Sequence, residues 1–196
     1  MDHIKPTLVI LLIGILGAGL FAWSGLYDPS SDNPHWKITS FLIEAIRDRA
    51  VAHHASDEIL AVDLNDPQLI LNGAVHYDEM CVDCHLAPGM KDTELRAGLY
   101  PQPPRLSEVK VDPTEAFWVI KHGLKMTAMP AWGPTHNDVK IWGLVAFVRK
   151  LHGMTPEKYK EVIASALADE EMKPNKAAHT PAPVGQIPMG QTHAGK

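Results

Sequence analysis

The chain has 196 residues, 45% of them hydrophobic and 21% charged, and a formal net charge of −5. That is enough for one ordinary domain with its own core plus some additional segments. The acidic surplus lies in residues 28–66, which hold eight Asp and Glu against three Lys and Arg, while residues 67–153 balance at nine and nine. With no basic patch, the chain does not read as a nucleic-acid binder.

Residues 1–28 form the first unit. From Pro6 to Tyr27 there is no charged side chain. As a helix, Thr7–Tyr27 would be about 31 Å long at 1.5 Å per residue, close to the roughly 30 Å hydrocarbon core of a bilayer. Trp23 and Tyr27 stand near its far end, where aromatic rings favour the interface. A cleaved signal peptide is the competing reading, with Ala22 and Ser24 as the small-residue pair. The apolar run is longer than a usual signal core, and Asp2 offsets Lys5, so a transmembrane anchor is expected. Lys5 inside and the acidic stretch outside agree with the positive-inside rule. The expected location is a bacterial inner membrane, crossed once, with the remainder in the periplasm.

Residues 29–66 are read as a linker with an amphipathic helix. Asp28 to His35 is turn-rich. Ile38, Phe41, Leu42, Ala45 and Ile46 then share one helical stripe, with Glu44, Arg47 and Asp48 opposite. The expectation is a helix of about four turns that covers part of the next domain. A docking arm for a partner subunit is the alternative. The acidic balance disfavours adhesion to anionic headgroups.

Residues 67–153 are read as the folded domain. Asp66-Pro67 supplies an N-cap and first-turn proline. The helix it starts carries Ile70, Gly73, Ala74, Tyr77 and Cys81 on one stripe. Asp112-Pro113 opens a second helix, and a third begins near Asn137. No segment keeps strand alternation, so the fold class is all-α. Cys81 and Cys84 have no further cysteine to pair with. A structural zinc site would normally need four ligands. A redox Cys-x-x-Cys would need a βαβ setting. Residues 81–85 instead read Cys-Val-Asp-Cys-His, the attachment motif of a c-type haem. Two thiols at i and i+3 reach the two vinyl groups from one side, and His85 follows at once as the proximal iron ligand.

These residues resemble the class I cytochrome c family over 67–153. Gly73 and Tyr77 match the glycine and aromatic that precede the first haem cysteine. Residues 143–149 match the last helix, with Phe147 as the aromatic on which the glycine packs. The resemblance implies one covalent haem c, held through Cys81 and Cys84 with His85 and Met129 as iron ligands. Met129-Pro-Ala-Trp132 is similar to the family's axial loop; Met126 and His122 are the rival ligands. Pro104, before Arg105-Leu106, would offer its carbonyl to His85. The stretch from His85 to Pro104 is longer than in the shortest bacterial members. Leu106, Trp118 and Trp132 are expected along the haem pocket, and Arg105 either at a propionate or on the surface. A filled sixth position favours electron transfer over oxygen chemistry.

Residues 154–196 are read as a short polar helix over 157–171, with Tyr159, Val162 and Ile163 as its few apolar contacts, and then a Pro-, Ala-, Gly- and His-rich disordered tail. No hydrolytic triad or phosphate loop appears, so the chain is expected not to be an enzyme by itself. The expected function is electron transfer to redox partner proteins or a respiratory complex. The alternatives are a haem subunit of a larger membrane oxidoreductase and a haem-based sensor.

Overall fold

The structure, a computed structural model, describes residues 4–58 and 62–172. The tail read as disordered, 173–196, with His179 and His193, lies outside the described residues. The described chain is helical, with no strand among those residues. In order the helices are α1 (Ile4–Trp23), α2 (Lys37–Ala55), α3 (Pro67–Met80), α4 (Val82–His85), α5 (Glu94–Ala97), α6 (Pro113–His122), α7 (Asp138–Leu151) and α8 (Pro156–Met172).

The sequence sets the helix starts through capping oxygens. The Asp66 carboxylate accepts from the Gln68 amide, with Pro67 in the first turn of α3. Asp112 accepts from the Thr114 and Glu115 amides at α6, and Asn137 accepts from Lys140 at α7. Each pairs an amide that the helix leaves unsatisfied.

The centre of the fold is the crossing of α3 and α7, where two glycines let the backbones touch. A Cβ on Gly73 would lie 1.9 Å from the Gly143 carbonyl oxygen. The nearest neighbour of this glycine is thus Gly143. Phe147 packs on Tyr77, at 5.3 Å between ring centroids. Two apolar clusters flank the crossing. One holds Ala74, Tyr77, Leu144, Phe147 and Leu151. The other holds Leu69, Phe117, Ile141, Trp142 and Val145.

Two outer helices pack on this centre. The short polar helix is α8, which packs on the domain through Tyr159, Ile163 and Ala166, buried in the first cluster. The Tyr159 hydroxyl donates to Asp78 at 2.8 Å. Helix α2 does lie on the domain, but not by its apolar stripe. Val51 and Ala55 are buried, His54 stacks on Trp118 at 5.5 Å, and the Tyr100 hydroxyl meets the His35 amide and Ser40. Ile38, Phe41, Leu42 and Ile46 are exposed on the opposite side. Helical spacing separates the two faces: Val51 and Ala55 follow Ser40 and Arg47 round one side, half a turn away from the Ile38–Ile46 stripe. Helix α1 is long and apolar enough to cross a membrane.

Candidate haem site

Helix α3 delivers Cys81 to the end of its last turn, and there the helix breaks. Cys81 adopts φ −113° and accepts from the amides of Cys84 and His85 at 3.2 and 2.8 Å. The attachment motif is thus a tight separate turn, not a continuation of the α3 face. Leu86 leaves it at φ 61°, and its carbonyl accepts the buried Tyr77 hydroxyl at 2.9 Å. That bond ties the exit of the turn to the domain core. Both thiols are free and half-buried. Burial, reinforced by Cys84, pushes the Cys81 thiol up to about 12, and burial also raises Cys84. Both are therefore protonated thiols at neutral pH.

The His85 Nδ1 lies 2.9 Å from the Pro104 carbonyl oxygen. A carbonyl can only accept, so Nδ1 carries the hydrogen and Nε2 keeps its lone pair. Burial holds the His85 pKa below its ordinary value; the Pro104 bond opposes this, and Arg96 adds to it. The ring is thus held neutral, with its basic nitrogen available to a metal.

The loop after α6 is cinched at its base. Gly123, at φ 68°, lets the chain reverse, with Met129 and Pro130 backbone close above it. The Trp132 and Gly133 amides donate to Ile120 and Lys121 at 3.1 and 2.9 Å. Within the loop the Leu124 amide donates to Met129, and Thr127 bridges the Leu124 carbonyl and the Met129 amide. Met129 is half-buried there, whereas Met126 is 87% exposed. The His122 ring lies tilted against Trp118, 5.1 Å between centroids, and 3.9 Å from Glu58, turned toward the α2 side.

Residues 68–148 match the family model for cytochrome c oxidase, cbb3-type, subunit III. This segment is a c-type cytochrome domain. It is also similar to a chain of the reducing HAO-like protein complex of Kuenenia stuttgartiensis, at 25% identity and a TM-score of 0.40. That likeness covers 46% of this chain and 49%, about half, of the other. No curated protein matches.

A c-type cytochrome domain implies a covalently bound haem, and the residues present fit one. Two unpaired thiols share one turn with an imidazole whose outer nitrogen is already occupied by Pro104. Among the other predicted site residues, Leu106 is half-buried against the first apolar cluster. Trp132 is half-buried, its ring edge-on to His136 at 5.3 Å. Trp118 stacks on His54. Arg105 is half-buried and donates to Asp92 and to the Met90 carbonyl.

What the sequence reading of the cytochrome domain missed is Arg96. It is the buried charged side chain of the described residues, 6% exposed. It sits on a four-residue helix within the long His85–Pro104 stretch, where no periodicity marks a buried face. The sequence signal available was negative: a stretch of that length without an apolar core of its own needs some polar device to hold it.

Proposed function

We propose that this chain is an electron carrier with a single c-type haem, bound through Cys81 and Cys84 and ligated by His85 and Met129. The haem, when bound, supplies the one-electron couple. The chain's own residues hold it and keep other chemistry out. The observation that carries the reading is the His85–Pro104 contact, which leaves a neutral imidazole with its lone pair on Nε2. Support for Met129 comes from its place in a loop fixed by Thr127 and by the two amide bonds at the loop base, while Met126 points into solvent. A thioether ligand favours the reduced state and fills the sixth position. The reading includes no catalytic role for the isolated chain.

We place α1 in a bacterial inner membrane with the cytochrome domain in the periplasm, which confines it near membrane-bound redox partners. Its support is the α1 helix, without a charged side chain from Pro6 to Trp23, and the acidic stretch that follows. The test is spectroscopic. Purified full-length protein reduced with dithionite should give a low-spin cytochrome c spectrum, and the colour should stay with the polypeptide on a denaturing gel. Met129→Leu should make the reduced protein bind carbon monoxide, and Met126→Leu should not. Colour lost to acidified organic solvent, or carbon monoxide binding to the unaltered protein at neutral pH, refutes the assignment.

A second reading, as the haem subunit of a larger membrane oxidoreductase, draws on one observation. The apolar Ile38–Ile46 stripe of α2 is exposed on the side away from the cytochrome domain, and such a face suits another subunit. Mild detergent extraction separates the two: a stoichiometric partner that is lost on Ile38→Asp/Ile46→Asp favours the subunit, and a lone haem protein favours the carrier.

A further inference from the structure

The segment between His85 and Pro104 contains a polar brace built on Arg96. Its Nε and Nη2 both donate to the Pro103 carbonyl, at 3.2 and 2.8 Å. Its Nη1 donates to Asp92, whose same oxygen accepts from Arg105 at 2.7 Å. Arg105 in turn donates to the Met90 carbonyl at 3.1 Å. One residue from Asp92, the Thr93 hydroxyl donates to the carbonyl of Asp83, between the two cysteines, at 2.6 Å. The Arg96 amide donates back to that same hydroxyl oxygen at 3.0 Å.

The placement matters because two things on either side of the imidazole must keep a fixed separation. One is the attachment turn, gripped at Asp83. The other is the Pro104 carbonyl, which holds His85. Pro103 and Pro104 each have φ locked by the ring and no amide to donate, so few bonds restrain this backbone. Fixing the Pro103 carbonyl with two donors fixes the peptide plane that leads into Pro104; with the Pro104 φ locked by its ring, only ψ is left to orient the Pro104 carbonyl. Burying a guanidinium is costly unless its donors are matched. Lysine cannot reproduce the planar fork that spans Pro103 and Asp92. Asp92 faces two arginines with one carboxylate, so these three side chains together carry one net positive charge.

We propose that Arg96 is a positioning residue for His85. It aims the Pro104 carbonyl at Nδ1, and its charge favours the reduced state of the site. The proposal rests on His85 being the proximal ligand. The test uses full-length, haem-loaded protein in detergent, with redox titration and NMR of the exchangeable His85 Nδ1 hydrogen. Arg96→Met should lower the reduction potential. It should also speed exchange of that hydrogen by about tenfold or more, as expected for losing a hydrogen bond to a charged group. Arg96→Lys keeps the charge and should restore most of the potential but not the slow exchange. Asp92→Asn removes the opposing charge and should raise the potential.

A merely structural brace would move the potential of Arg96→Met and Asp92→Asn in the same direction, by loosening the same loop; that result overturns the proposal. So does unchanged exchange in Arg96→Lys. If Arg96→Met does not mature, Arg96→Lys and Asp92→Asn carry the test alone. Failure of the underlying assignment looks different: His85→Ala would then leave the low-spin spectrum intact.

Discussion

Gly73→Ala probes the crossing on which the cytochrome domain is built. The added methyl would lie 1.9 Å from the Gly143 carbonyl oxygen and 2.3 Å from its carbon. Real Cβ contacts essentially never fall below 3.0 Å, so α3 and α7 must part by roughly 1 Å at their closest point. Both obstructing atoms are backbone, so no rotamer change relieves the clash. Overpacking of a filled core costs about 1–3 kcal/mol and occasionally more; this case belongs at the upper end because both apolar clusters straddle the crossing. Alanine's better helix propensity returns about 1 kcal/mol. The net expectation is a loss of about 2–3 kcal/mol, or roughly 10–20 °C in melting temperature for a domain of this size. The assay is thermal unfolding of haem-loaded protein followed by circular dichroism. Gly98→Ala is the control, because its Cβ would meet nothing closer than 3.7 Å. A Gly73→Ala melt within 2 °C of the unaltered protein, by the same scale of about 4–8 °C per kcal/mol, refutes the reasoning.

Other outcomes follow from single bonds. Tyr77→Phe leaves the buried Leu86 carbonyl without its 2.9 Å donor and should cost about 1–2 kcal/mol, read as a lower denaturant midpoint at unchanged slope. Asp112→Ala removes the acceptor for two α6 amides and should cost about 1 kcal/mol. The Thr114 hydroxyl and the two amides hold the Asp112 carboxyl below its ordinary range. That stabilisation is present above the ordinary carboxylate pKa and is lost as pH falls through the lower folded value, so acid should erase the difference between variant and parent. His76 should destabilise the fold on mild acidification. Burial, with Lys140 and His136 and against Glu79 and Glu170, lowers its pKa. The unfolded chain then takes up the proton first as pH drops below about 6.5. His76→Gln should flatten the fall in melting temperature between pH 7 and 5; an unchanged slope contradicts the burial argument.

The parts of the fold legible in the sequence were those written in local chemistry. Asp66-Pro67, Asp112-Pro113 and Asn137 announce three helix starts through capping oxygens that lie beside the amides they serve. Cys81, Cys84 and His85 announce the cofactor because spacing alone specifies the attachment. What was not legible depends on who sits opposite. Helical spacing grouped Ile38 with Ile46 but carried no information on which way that face turns, and it turns outward. In α8 the contacts Tyr159 and Ile163 could be read from the sequence, but Ala166, too small to mark a face, completes the buried stripe. The partner of Gly73 is another glycine seventy residues on, which only the crossing reveals. Arg96 is the extreme case: its partners are Asp92 four residues back and a proline carbonyl seven residues ahead, and neither leaves a pattern.

The stretch between α1 and α2 sets a working radius. Helix α1 ends at Trp23 and α2 begins at Lys37. The thirteen residues between them, even pulled straight at about 3.5 Å each, reach no more than about 45 Å. Because α2 is clipped to the domain through Tyr100 and Trp118, no further slack can be drawn from it. With α1 in a bilayer, the redox centre patrols a shell roughly one small protein thick above the lipid. Under the proposed function, donors and acceptors would have to bring their own centres into that shell, and the search for them would run sideways along the membrane instead of through bulk solution.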